Sequence, residues 1–274
     1  MKPTIKTVKI ADLYPFEKSP FGLRNMDELA SSIGEAGVYV PLVARLREAG
    51  GYEIIDGHRR RAAAEASGID AVPVLVVEMD DDQAAIALVD TNLMCRESVL
   101  PSERGFAYKL KLDALSHQGI RTCGTEFHKS RDEIAEGMTG RQVSKYIRLT
   151  ELIAPLLQMV DDGSIALSPA VELSYLTEDE QLALFGACMD AMATPSHAQA
   201  IRLRDSSRTG QFTKDIPVAV MAEDKPNQKD QLKLPMDEVS RFFPKSYTPR
   251  QMQETIVKLL EQWQRKRERD KGAR

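Results

Sequence analysis

Residues 54–68 read IIDGHRRRAAAEASG: an apolar entry with strand character, one glycine, a histidine with three consecutive arginines, then an alanine-rich run with helical character. The pattern predicts a strand that turns into a helix at Gly57, with Gly68 placed to close that helix. A helix N-terminus carries unpaired amide donors and a partial positive charge, so stacking cations there is unfavourable for the helix itself. Something anionic should offset Arg59, Arg60 and Arg61. Guanidinium forks match phosphate oxygens, and a glycine ahead of the helix lets a phosphate approach the backbone, so a nucleotide or polyphosphate is the natural candidate. The competing reading is a solvated helix face whose arginines pair with Glu65 or Asp56. His58, with no second histidine nearby in sequence, reads as a polar helix-start residue and not as a metal ligand.

Working outward, residues 5–10 alternate apolar and polar as a half-buried strand does, and Asn25 with Glu28 forms a capping-box pattern that would open a helix through Ile33. PLVARL and YEIID read as two strands joined across EAGG, AVPVLVV as the next strand, and DDQAAIALVDTNL as a helix with its acids in the first turn. These elements make a small mixed α/β domain over residues 1–100.

From residue 101 no convincing strand appears for about a hundred residues. Helices are expected from Ser102, with Phe106, Leu110 and Leu115 on one face, then over 131–136, 140–152, 154–160 and 169–175, and after a Thr177/Glu180 capping box. Within this stretch, residues 130–152 read SRDEIAEGMTGRQVSKYIRLTEL. Ser130 with Glu133 and Thr139 with Gln142 form two capping boxes around Gly137, so two helices meet across about three residues, the spacing of a helix-turn-helix. Ile134, Ala135, Val143, Ile147 and Leu149 would pack the pair. Thr139, Arg141, Gln142, Ser144, Lys145 and Arg148 remain as candidate DNA contacts, because the N-terminal part of a second helix can enter the major groove, where Arg and Gln read guanine and adenine. A generic helical hairpin with a solvated polar face is the alternative. Residues 206–234 are polar with scattered prolines and read as a linker containing at most a short strand, and residues 235–274 as a helical, basic segment suited to dimerisation, with Thr248 as cap and Met252, Ile256, Leu259, Leu260 and Trp263 as its stripe.

The chain has 274 residues, 42% hydrophobic and 28% charged, with a formal net charge of −4, so any nucleic-acid affinity must reside in local patches. No apolar run has the length of a membrane span, the first residues lack a signal-peptide pattern, and a cytoplasmic protein, associated with nucleoid or plasmid if it holds DNA, is expected. Cys95, Cys123 and Cys188 show neither disulfide nor zinc spacing.

The segments ADLYPFEKSPFGLR, MDELASSIGEAGVYVPLVAR, YEIIDGHRRRAAAEASG and AVPVLVVE together resemble the N-terminal domain of ParB family partition proteins. The family's motif Gly-Glu-Arg-Arg-x-Arg-Ala has its counterpart in residues 57–63, with His58 in place of the Glu and Ala62 in place of the distal Arg. TNLMCRESVLPSE resembles the family's Glu-Asn-x-Gln-Arg motif, with Thr91 in place of the Glu, and residues 139–176 resemble the helical continuation. The resemblance implies an α+β fold: a ParB/sulfiredoxin-like nucleotide domain, then an all-helical helix-turn-helix domain over 101–205. It also implies CTP as ligand of Gly57, His58, Arg59, Arg60, Asn92 and Arg96, with Mg2+ at Asn92. Implied partners are double-stranded centromere-like DNA, a ParA-type ATPase and a second copy of the chain. A missing carboxylate at position 91 weakens hydrolysis more than binding, leaving at most a weak CTPase. Rival readings are a transcriptional regulator or nucleoid-occlusion protein of the same fold and a small-molecule kinase. Sulfiredoxin chemistry would need a cysteine where Gly57 stands.

Overall fold

The computed structural model describes residues 3–96, 98–117 and 138–223, together with 243–244, 251–252, 255–256, 258–259 and 263. Contacts gather the chain into two units, Met1–Glu223 and Asp224–Arg274. In the first, strands β1 (Thr4–Lys9), β2 (Leu13–Pro15), β3 (Leu42–Leu46), β4 (Tyr52–Asp56) and β5 (Ala71–Val77) form one sheet in the order β1-β5-β3-β4-β2. β3 pairs antiparallel with β4 across the tight connection and parallel with β5, which places the end of β4 in the interior of the sheet.

Strand alternation divides the core between two faces. Leu42, Ala44 and Ile54 point to the side covered by α1 (Asp27–Ala36) and α2 (His58–Ala66), where Ile33, Ala63 and Ala64 meet them. Ile55 and Val43 point to the other side, covered by α3 (Asp81–Cys95) and α4 (Pro101–His117) through Ala84, Leu88, Ala107 and Ala114. Helix α3 opens with the capping box of Asp80 and Gln83. Helix α4 also packs against α5 (Gly140–Arg148), so it joins the sheet to the helices that follow. These are α6 (Ala154–Asp161), α7 (Leu167–Leu173), α8 (Glu178–Ala191), α9 (His197–Arg208) and α10 (Asp215–Met221), built around Leu149, Leu156, Leu173, Leu184 and Leu203. The α+β class expected from the sequence holds. None of the helices among the described residues is long and apolar enough to cross a membrane.

Several local expectations change. Asn25 is not the cap of α1: it lies in the left-handed region at φ 52°, and the helix begins two residues later without a side-chain cap. Its carbonyl instead accepts a bond from Arg59. On α4 the buried face is Glu103, Ala107, Tyr108, Lys111 and Ala114, while Phe106 is exposed, because the helix is covered on two sides and has no single apolar stripe. The region expected as a linker contains α10, held by the Gln199 amide donating to the Val220 carbonyl at 2.7 Å and by burial of Val220 and Met221. The expected helix over 131–136, with Ser130, Glu133, Ile134, Ala135 and Gly137, lies outside the described residues, as do Cys123, Thr248 and Leu260.

Candidate functional site

β4 ends at Asp56, and Gly57 turns the chain into α2 with φ 100°. A Cβ on Gly57 would lie 2.7 Å from Leu42 Cγ, so both the backbone conformation and the space require glycine. The three arginines that follow then part company. Arg60 donates to the carbonyls of Val40 and Pro41, each at 2.8 Å, and to Asp56 at 2.6 Å, fastening the entrance of β3 to the exit of β4. Arg61 pairs with Glu65 one turn along, at 2.9 Å. Arg59 reaches across to the Asn25 carbonyl at 2.8 Å, and its Nε is buried without a partner.

His58 turns inward. Its Nε2 accepts the Phe16 amide at 3.2 Å, which requires the neutral ring with its proton on Nδ1. Burial pushes its pKa down to about 4, Asp56 acting against the shift and Arg96 and Arg61 adding to it. At position 58 the chain thus supplies an uncharged acceptor to the Phe16 amide.

The C-terminal turn of α3 completes a cleft of about 720 Å³ lined by Arg24, Asn25, Glu28, Leu29, Ser32, Arg59, Cys95, Arg96 and Ser98. Arg96 is held by the Asn92 Oδ1 at 2.8 Å and the Gly22 carbonyl at 3.1 Å, and its guanidinium lies 4.9 Å from the Phe21 ring centroid. Burial lowers the Arg96 pKa, Glu103 opposes this, and the neighbouring charges of Arg24 and Arg59 lower it further; a guanidinium remains cationic under such shifts. Behind the cleft, the buried Glu103 carboxylate accepts the Gly22 amide at 2.9 Å and the Leu100 amide at 3.1 Å and pairs with Arg24. Three guanidiniums therefore converge on one opening, where a polyanion gains several charge-assisted hydrogen bonds at once.

Of the expected nucleotide set, Arg59 and Arg96 line this cleft and Asn92 holds Arg96 from beside it, while Gly57, His58 and Arg60 are not among its lining residues and shape the turn from β4 into α2. Arg24 ends the FGLR segment that resembles the family's N-terminal domain but carries no pattern of its own in sequence; only the fold brings it beside Arg59 and Arg96. The Asn92 oxygen, expected at a magnesium ion, here orients Arg96. Thr91 turns its hydroxyl back onto the Ala87 carbonyl at 2.8 Å, and Asp90 pairs with the buried Lys111. No group of three or more His, Cys, Asp or Glu side chains suited to a metal ion occurs among the described residues.

The second candidate surface is α5. Thr139 and Gln142 form the expected capping box, Val143 and Leu149 are buried, and Tyr146 and Ile147 pack toward Tyr108 of α4. Arg141 and Gln142 are exposed on the first turn, and Lys145 and Ser144 are half-buried, the Ser144 hydroxyl donating to the Gly140 carbonyl at 2.8 Å. Arg148 is engaged within the fold: it donates to the Ser174 carbonyl at 2.6 Å and to its hydroxyl at 3.0 Å, with its guanidinium 4.1 Å from the centroid of the Tyr175 ring.

Fold and site together define an α+β protein whose sheet domain carries an arginine-lined cleft and is joined through a shared helix to a helical domain. Residues 2–93 match the model of the ParB N-terminal domain. The chain is 29% identical over 206 residues to the probable chromosome 1-partitioning protein ParB of Deinococcus radiodurans, covering 75% of this chain and 67% of that one. It is 33% identical over 186 residues to stage 0 sporulation protein J of Bacillus subtilis, covering 65% and 60%. Among solved structures it resembles the C-terminally truncated chromosome-partitioning protein ParB from Caulobacter crescentus complexed to the centromeric parS site, with 20% identity, a TM-score of 0.43, and coverage of 74% of this chain and 99% of that one. Residues 2–93 thus carry the ParB N-terminal domain pattern, and two thirds or more of the chain is similar to chromosome-partitioning ParB proteins. It spans about half to two thirds of the length of the first curated relatives it matches.

Proposed function

We propose that the chain is a partition protein that binds CTP in the arginine-lined cleft and double-stranded, centromere-like DNA through α5, closing as a dimer on that DNA and working with a ParA-type ATPase. The observation that carries the nucleotide reading is the convergence of Arg24, Arg59 and Arg96 on one cleft, with the buried Arg59 Nε lacking a partner. These residues fit a triphosphate. Arg59 and Arg96 would take phosphate oxygens, Arg24 would add a third charge, and the amides at the start of α2 add the partial positive charge of a helix end. A magnesium ion fits differently. The described residues offer no carboxylate cage, so magnesium would arrive on the phosphates, and Asn92 would have to release Arg96 to touch it.

Binding is supported better than turnover. The three side chains nearest the family's carboxylate positions are all engaged elsewhere: His58 with the Phe16 amide, Thr91 with its own helix, and Asp90 with Lys111. Positioning a water for attack on a phosphate requires a free base or a carboxylate-held metal, and these residues supply neither. For DNA, the support is the capped first turn of α5 with Arg141 and Gln142 exposed side by side, the arrangement in which a helix reads base edges in the major groove.

The test takes the purified protein with each of the four NTPs and magnesium, with and without DNA fragments from its own genetic neighbourhood. It reads equilibrium binding, phosphate release and site-specific crosslinking between protomers. CTP should bind in preference to the others, with slow phosphate release, and Arg59→Ala should abolish binding. Retained CTP affinity in Arg59→Ala would defeat the cleft assignment. Arg141→Ala and Lys145→Ala should each weaken specific DNA binding by about tenfold; unchanged affinity in both would defeat the α5 assignment.

A further inference from the structure

We propose that Glu103 is a positioning residue that sets the cleft for polyphosphates and against single phosphates; the inference rests on the nucleotide reading above. Glu103 lies on the first turn of α4, and at 5% exposure it is one of the few buried charged side chains among the described residues. Removing a carboxylate from water is costly unless its lone pairs are met and its charge is balanced. Both conditions are satisfied by groups of the cleft wall. The Gly22 amide donates to Oε1 at 2.9 Å, the Leu100 amide to Oε2 at 3.1 Å, Arg24 donates to Oε2, and an Arg96 nitrogen stands 3.9 Å from Oε1.

The same short segment is gripped from the other side, because Arg96 donates to the Gly22 carbonyl at 3.1 Å. One carboxylate thus fixes the backbone before Arg24, the Arg24 guanidinium and the neighbourhood of Arg96. Like charges so close repel one another, and Arg24 and Arg59 lower the proton affinity of Arg96 accordingly. Without a buried counter-charge behind it, the Arg24 guanidinium would turn away from Arg96 into solvent. With it, each keeps the remaining edge of its planar fork toward the opening.

Arg59 and the start of α2 do not depend on Glu103: Arg59 is oriented by the Asn25 carbonyl and α2 by Gly57. A single phosphate can therefore bind there whatever occupies position 103. A chain of phosphates, which must touch several cations at once, needs Arg24 and Arg96 held as a pair.

The experiment compares the wild type with Glu103→Gln, which keeps the shape and one acceptor but removes the charge, and with Glu103→Asp, which keeps the charge. Calorimetry with CTP, CMP, inorganic tripolyphosphate and inorganic phosphate gives the affinities, and thermal unfolding controls for folding. Glu103→Gln should lose about tenfold or more in affinity for CTP and tripolyphosphate while changing less than about twofold for CMP and phosphate. Glu103→Asp should recover part of the difference. An unchanged ratio of tripolyphosphate to phosphate affinity, or an equal loss for all four ligands, overturns the proposal. If Glu103→Gln does not fold, Arg24→Gln must show the same selective loss with Glu103 intact, and an unselective result there overturns it equally. Wild-type protein that binds tripolyphosphate but no nucleotide sinks the CTP reading while leaving the Glu103 test intact; binding of neither overturns both.

Discussion

At position 58 a titratable ring is held neutral against the Phe16 amide, and the consequence is a pH-dependent stability with a defined sign. The unfolded histidine titrates near 6.5 and the folded one at about 4, so between these values the unfolded chain binds more protons. Stability from this residue is complete above about pH 6.5 and is lost as pH falls toward 4, by roughly 3 kcal/mol at the limit. His58→Gln, uncharged and still able to accept the amide, should lose less stability than the wild type between pH 7 and 4.5; parallel urea midpoints for the two proteins over that range would refute the assignment. The neighbouring arginines predict a second contrast. Arg60→Ala removes donors to Val40, Pro41 and Asp56 and should cost about 2 kcal/mol or more, whereas Arg59→Ala, with one exposed bond to a carbonyl, should cost less than about 1 kcal/mol. Comparable urea unfolding curves for the two variants would contradict the division of labour. Sequence alone does not separate Arg59 from Arg60, because the distinction depends on Asn25, Val40 and Pro41, which only folding brings near them.

Among the elements, α4 carries the most connections. Its Gly105 has no room for a side chain: a Cβ there would lie 2.5 Å from the Tyr146 carbonyl of α5. The two helices cross with backbone against side-chain-free backbone, and Tyr108 meets Tyr146 edge-on at 6.1 Å beside that crossing. Gly105→Leu should displace α5, costing about 2 kcal/mol or more in stability. It should also weaken DNA binding while leaving CTP affinity within about twofold of wild type, as read by chemical unfolding and paired titrations. Wild-type stability in that variant would show that the crossing is looser than described. This helix was legible in sequence as a helix but not in its packing. A helix covered on two sides has no single apolar stripe, so Phe106, which the periodicity favours, ends up exposed while Glu103 and Lys111 are buried. By contrast, α5 and α8 matched their capping boxes at Thr139 and Thr177, because caps are local bonds that need no tertiary partner.

For the whole molecule, the joint between sheet and helical domain is made at the first turn of α4. Ser102 donates its amide and its hydroxyl to Asp161 at the end of α6, at 2.9 and 2.5 Å, while the adjacent Glu103 faces the cleft. Asp161 thus caps a helix more than fifty residues away in sequence. Asp161→Ala should cost about 1 to 2 kcal/mol and remove hydrogen-exchange protection selectively from the first turn of α4. Protection that stays uniform would indicate that α4 is held by its side faces alone.

The sequence by itself determined the secondary structure around residues 54–68, the α+β class, the capped start of α5 and the likeness to the ParB family, since these rest on local periodicity, caps and contiguous motifs. Only the tertiary structure decided which arginines line the cleft. Arg24, Arg59 and Arg96 come from three separate segments and meet because β4 delivers α2 to the centre of the sheet while α3 and α4 close over its other face. It also decided that Arg60, His58 and Asn92 bond within the protein, since whether a polar side chain turns to solvent or inward depends on which carbonyls and amides the fold sets within its reach.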